Sequence, residues 1–95
     1  NRRDFKHTIG LDAADCLTRV NDLALHLKNQ QYPHRRSYER LFNRMAAYFE
    51  RCSTQAKRNA QVTFAHVAEA ADLALWARTA RQMADLLRRS IQNNP

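Results

Sequence analysis

RSYERLFNRMAAYFERCSTQAKR, residues 36–58, decides the fold. Tyr38, Leu41, Phe42, Met45, Tyr48, Phe49, Cys52 and Ala56 recur at steps of three and four, which is the spacing of one wide helix face. Arg36, Arg40, Arg44, Arg51 and Arg58 recur at steps of four, four, seven and seven along the opposite face. Ser37 reads as an N-cap, with Glu39 in the first turn where a carboxylate is favoured, so the pattern predicts a helix over residues 38–57.

Outward from this stretch the periodicity stays helical. Ile9, Ala13, Leu17, Val20, Ala24 and Leu27 form one face of a first helix expected over residues 9–28. Thr8 is its expected N-cap, Asp12 and Asp15 favour the positive end of its dipole, and Asn29 is suited to a left-handed stop. Tyr32-Pro33 prevents continuation, and residues 30–36 are the one clear linker, ending in the basic cluster His34-Arg35-Arg36.

Asn59 reads as the cap of a third helix reaching residue 91, long enough to be kinked or split. Val62, Ala65, Leu73, Trp76, Ala80, Met83, Leu87 and Ile91 lie on one side of it, and Phe64, Ala68, Ala71, Leu75 and Leu86 form a second apolar strip. A helix apolar nearly all round is normally covered on several sides, more than two neighbours supply in so short a chain. Val62, Leu73, Trp76 and Met83 are therefore the expected protein interface, in a homo-oligomer or as a subunit of a larger complex.

Ninety-five residues make a single domain, with residues 1–7 and 92–95 reading as tails. One glycine and two prolines are too few turn signals for a β-sandwich or barrel. The expected fold class is all-α, a small bundle of three main helices. No apolar run approaches the length of a membrane span, and no membrane partner is expected, since the aromatic face of the second helix is needed for the core.

Charge points to the partner. Sixteen basic residues against nine acidic ones give +7, and thirteen of the sixteen are arginine. The guanidinium fork pairs with phosphate through two hydrogen bonds, so the expected partner is a nucleic acid, RNA or DNA, held by its backbone. An Ala- and Arg-rich, Lys-poor composition also suits a bacterial source with a GC-rich genome, but that bias does not explain the excess of positive charge.

The arginine ridge, with Arg35 at its end, is the expected nucleic-acid contact. Arg78, Arg81, Arg88 and Arg89 form a second patch near the end of the third helix, which would make a groove if placed beside the ridge. Part of that patch is expected to serve the helix itself, through its dipole and through Asp85 pairing with Arg81 and Arg89. Tyr32 and Tyr38 stand beside the basic cluster as candidates for stacking on a base.

Chemistry beyond binding finds no motif. Cys16 and Cys52 are isolated, as reduced thiols of a cytoplasmic protein would be, and no metal or other cofactor is expected. His66, Glu69 and Asp72 stand close together on the third helix without facing carboxylates to complete a metal site. Asp22 and His26 have the spacing of an acid–base pair but no nucleophile beside them, and there is no glycine-rich phosphate loop or GxSxG elbow. The function expected is therefore non-catalytic: a nucleic-acid-associated subunit or accessory factor. The alternative is an interaction module docking through the third helix.

Overall fold

A computed structural model describes residues 12–30, 32–59 and 64–95, apart from the side chains of residues 59 and 64–67. The described residues form an all-α bundle of three helices, α1 (Ala13–Lys28), α2 (Arg35–Asn59) and α3 (Phe64–Asn93). Helix α2 packs along most of α3, and α1 packs chiefly against α3. The α2–α3 pair is antiparallel, because Arg35 reaches Ser90 and Asn94, Arg81 reaches Asn43 and Glu50, and Ser53 reaches Ala70. The bundle measures 48 × 22 × 19 Å. Its radius of gyration, 14.4 Å, exceeds the roughly 12 Å of a compact chain of this length. It is a rod whose long axis follows α2 and α3.

Alanine lets the two long helices approach closely. Ala46 and Ala80 are fully buried, and Ala77 and Ala84 nearly so. Phe49, Met45, Leu73 and Leu87 fill the remaining core volume. Phe49 meets Trp76 edge-on at 5.6 Å, and Tyr48 meets Phe49 in the same manner at 5.7 Å. Such edge-on pairs add about 0.5–1.5 kcal/mol beyond the burial of the rings. Two hydroxyls enter the core with their hydrogen bonds made: Ser53 Oγ donates to the Ala70 carbonyl at 3.1 Å, and Thr79 Oγ1 to the Leu75 carbonyl at 2.8 Å. Ser53 thus adds a buried directional link between α2 and α3.

Helix ends differ from expectation in instructive ways. The described part of the first helix begins at Ala13, where Asp12 is the N-cap and its Oδ1 accepts the Asp15 backbone N–H at 2.9 Å. Residues 8–11, with Thr8 and Ile9, lie outside the described residues. At the other end Asn29 keeps φ −87°, and Gln30 takes the left-handed conformation with φ 58°.

Helix α2 starts three residues early. The His34 carbonyl accepts the Tyr38 N–H at 3.1 Å, so Ser37 lies inside the helix rather than capping it, and Glu39 falls beyond the first turn. Asn59 ends α2 instead of capping α3, and α3 is one continuous helix. Residues 92–95 are no free tail: α3 runs to Asn93, and the Asn94 carbonyl accepts a hydrogen bond from Arg35.

Burial also corrects the expected interface. Leu73, Trp76 and Met83 are 1%, 4% and 5% exposed, so they are covered by the chain's own helices, not left free for a partner. The fourth residue, Val62, lies outside the described residues. The surplus of apolar positions on α3 is absorbed because small alanines, needing little cover, occupy many of them. Exposed bulk sits elsewhere, with Leu17 and Leu25 on α1 at 61% and 55%.

Candidate nucleic-acid interface

Arg36, Arg40, Arg44, Arg51 and Arg58 all fall within α2 and are all exposed. Phe42, Met45, Ala46, Phe49, Ser53 and Ala56 are buried on the reverse of the same helix. At 100° per residue the five arginines occupy an arc of about 80° centred opposite that buried face. The helix is unbroken from Arg35 to Asn59, so the row extends about 33 Å at 1.5 Å per residue. Among the described residues none of the five makes a hydrogen bond or ion pair.

The acids of α2 do not neutralise this row. Glu50 turns toward α3, where its Oε1 accepts a hydrogen bond from Arg81 Nη2 at 2.8 Å. Glu39 is half-buried. Arg36, Arg40 and Arg44 stand at i,i+4 steps, an arrangement that costs about 0.2–0.5 kcal/mol per like-charged pair in an isolated helix. The first turn of α2 carries no acid, and Arg36 stands there at the positive end of the helix dipole. Helix α2 therefore bears positive charge that the described fold leaves uncompensated.

Five other arginines divide by what they touch. Arg35 holds the end of α3: Nη1 donates to the Ser90 carbonyl and to Ser90 Oγ, both at 2.9 Å, and Nη2 donates to the Asn94 carbonyl at 2.6 Å. It supplies the cation that a helix C-terminus attracts, in a last turn with no basic residue of its own. Arg35 is thus a structural clamp between α2 and α3 and separate from the free row. Arg81 is a second clamp, with Nη1 on Asn43 Oδ1 at 2.9 Å besides its bond to Glu50. Asp85 pairs with Arg88 at 3.4 Å, in place of the expected Arg81 and Arg89. Arg78 and Arg89 are exposed and without a partner among the described residues.

The two basic patches do not form one groove. The ridge faces away from α3, and the seam between the helices is closed by Arg81 with Asn43 and Glu50. A shallow cleft of about 310 Å³ in that seam brings Arg78 together with Lys57, a cation that sequence reasoning passed over because it falls off the ridge. Beside the ridge, Ala47, Glu50, Arg51, Thr54, Gln55 and Arg58 line a depression of about 470 Å³ along α2. Its floor is small side chains, so a ligand can approach the helix between the arginines.

The two tyrosines pack on each other, with Tyr32 half-buried and Tyr38 39% exposed. Tyr32 and Tyr38 lie 5.2 Å apart, and Tyr38 lies 6.5 Å from Phe42. Burial, and then the neighbouring Tyr38, push the Tyr32 hydroxyl above its ordinary pKa, so it stays protonated at neutral pH. Asp22 and His26 are both exposed on α1. Cys16 is buried, Cys52 half-buried, and both are free thiols. Among the described residues no group of three or more His, Cys, Asp or Glu side chains is placed to hold a metal ion, and the His66 side chain lies outside them. No described helix is long and apolar enough to cross a membrane.

No protein-family model, curated protein or solved structure matches the chain.

Because Arg35 is a clamp, Arg35→Ala is expected to destabilise the bundle by about 1–3 kcal/mol, the cost of losing charged hydrogen bonds at a helix end. Nucleic-acid affinity of the folded protein should stay within about twofold. Paired thermal melts and binding titrations of the variant check both halves of that expectation.

Proposed function

We propose that this chain is a non-catalytic nucleic-acid-associated protein, a small subunit or accessory factor. In this reading the α2 arginine ridge binds the phosphate backbone of RNA or DNA with little regard to base sequence. The observation that carries it is the row of five exposed arginines on one unbroken helix, unpartnered among the described residues, with Glu50 bonded instead to Arg81. Guanidinium groups neutralise phosphates and release condensed counterions, so binding is strong at low salt and falls steeply as salt rises. Phosphate contacts fix position without reading bases, and the ridge is made of arginines, with Gln55 the one amide beside Arg51 and Arg58 in the depression. Arg78, Arg89 and Lys57 assist from the flank, whereas Arg35 and Arg81 act through the fold.

A cytoplasmic location and a bacterial source belong to the same proposal, supported by the free thiols and the Arg-for-Lys composition. So does assembly, as a homo-oligomer or in a larger complex, with exposed Leu17 and Leu25 moving the candidate contact from α3 to α1. Phe42 and Phe49 are consumed by the core, which leaves α2 without the aromatic face that a membrane-surface helix requires.

Single alanine substitutions test the assignment residue by residue. Arg40→Ala, Arg44→Ala and Arg51→Ala should each weaken binding equally on unrelated sequences and lower the log–log salt slope by about 0.9 on B-form DNA. Unchanged affinity and slope in all three would remove the ridge from the interface.

A further inference from the structure

Resting on that reading, the geometry points to double-stranded nucleic acid as the ligand of the ridge, and we propose that α2 lies along a duplex groove with its arginines on the flanking phosphates. The ridge is convex. Among the described residues it stands exposed on the face of α2 opposite the core, on a rod 22 × 19 Å in section. A single strand is usually held in a basic groove that tracks its backbone while aromatic rings stack its bases. Among the described residues the hollow on this face is the depression beside Arg51 and Arg58, and no aromatic ring lines it. Phe42 and Phe49 are buried, Tyr48 packs against Phe49, and Tyr38 packs between Tyr32 and Phe42.

A duplex supplies the complementary shape. Its major groove, about 12 Å wide in B-form DNA, admits an α-helix. Small Ala47 and Thr54 line the depression with Arg51 and Arg58, beside Glu50 and Gln55, and leave room for a ligand between the two arginines. Arg36 and Arg44 stand at the two edges of the arc of about 80°, aimed at opposite walls. A groove winds once round the duplex in about 34 Å, so the straight row of about 33 Å meets flanking phosphates over part of a turn, and both partners are rigid before they meet. A single strand would first have to be straightened along the row, losing conformational entropy that a duplex has already given up.

The test is fluorescence anisotropy with four labelled 24-mers: duplex DNA, duplex RNA, and an unstructured single strand of each, at 100 mM salt. The expected result is that at least one duplex binds tenfold or more tightly than either single strand, and that Arg51→Ala removes most of the difference. Preference for duplex DNA places the helix in the wide B-form groove. Preference for duplex RNA places it across the shallow A-form groove. Single strands binding as tightly as both duplexes would overturn the duplex assignment while leaving the phosphate-binding reading intact. If none of the four binds, both fall together.

Discussion

The double substitution Arg40→Glu/Arg44→Glu is expected to abolish nucleic-acid binding while leaving the fold unchanged. Each contact to a phosphate of B-form DNA contributes close to one logarithmic unit of affinity near 0.1 M salt, so losing two costs roughly 10²-fold. Two carboxylates in their place repel the backbone, and the total loss should approach 10³-fold. Stability should move by no more than about 0.5 kcal/mol, because both side chains are exposed and unpartnered among the described residues, and Glu matches Arg in helix propensity. The diagnostic combination is an unchanged circular-dichroism melt with lost anisotropy signal. A variant that still binds within threefold of the parent would take the ridge out of the account. One that unfolds would mean that Arg40 or Arg44 carries a structural contact after all.

The second large effect concerns the core. Phe49→Ala is expected to cost about 3–5 kcal/mol, the range for deleting a fully buried ring and leaving a cavity. Phe49 is 0% exposed and touches both Tyr48 and Trp76, so one substitution breaks an edge-on ring contact within α2 and another across the α2–α3 seam. A small domain has only about 5–15 kcal/mol of net stability, and each kcal/mol moves its melting point by roughly 4–8 °C. The variant should therefore melt at least 12 °C lower, or not fold at all. Trp76→Ala should behave similarly. A folded Trp76→Ala monomer that had merely lost a partner would revive the interface first read from the apolar pattern of α3. Melting curves and sedimentation of the two variants separate these outcomes.

These expectations show what a sequence of this kind discloses. The wide apolar face of residues 38–56 and the arginine row opposite it follow from helical periodicity alone; the row appears where that periodicity puts it, and so does the apolar face apart from Tyr38 and Leu41, which are 39% and 40% exposed. Helix boundaries were less legible because they turn on competition among neighbouring caps. Ser37 has a good capping side chain, yet a left-handed His34 lets α2 begin at Arg35. That earlier start brings Arg35 within reach of the last turn of α3, a contact 55 residues away in sequence with no local signal.

Arg81 illustrates the same limit. Its spacing from Asp85 suggested a pair within one helix, but the antiparallel register offers it Asn43 and Glu50 at better distance. For Leu73, Trp76 and Met83, apolar pattern identified burial correctly but not its source. Covering by α1 and α2 or by another molecule leaves the same mark on a sequence.

The central claim, that α2 binds phosphate through its free arginines, is tested most directly by titrating a labelled 24-base-pair DNA duplex with the wild-type protein between 50 and 300 mM salt. If five arginines each neutralise one phosphate, the log–log slope of affinity against salt should be about −4.5. The account predicts a slope between about −4 and −6, the steeper end reflecting help from Arg78, Arg89 and Lys57. A slope near zero, or no binding at 50 mM, would contradict it.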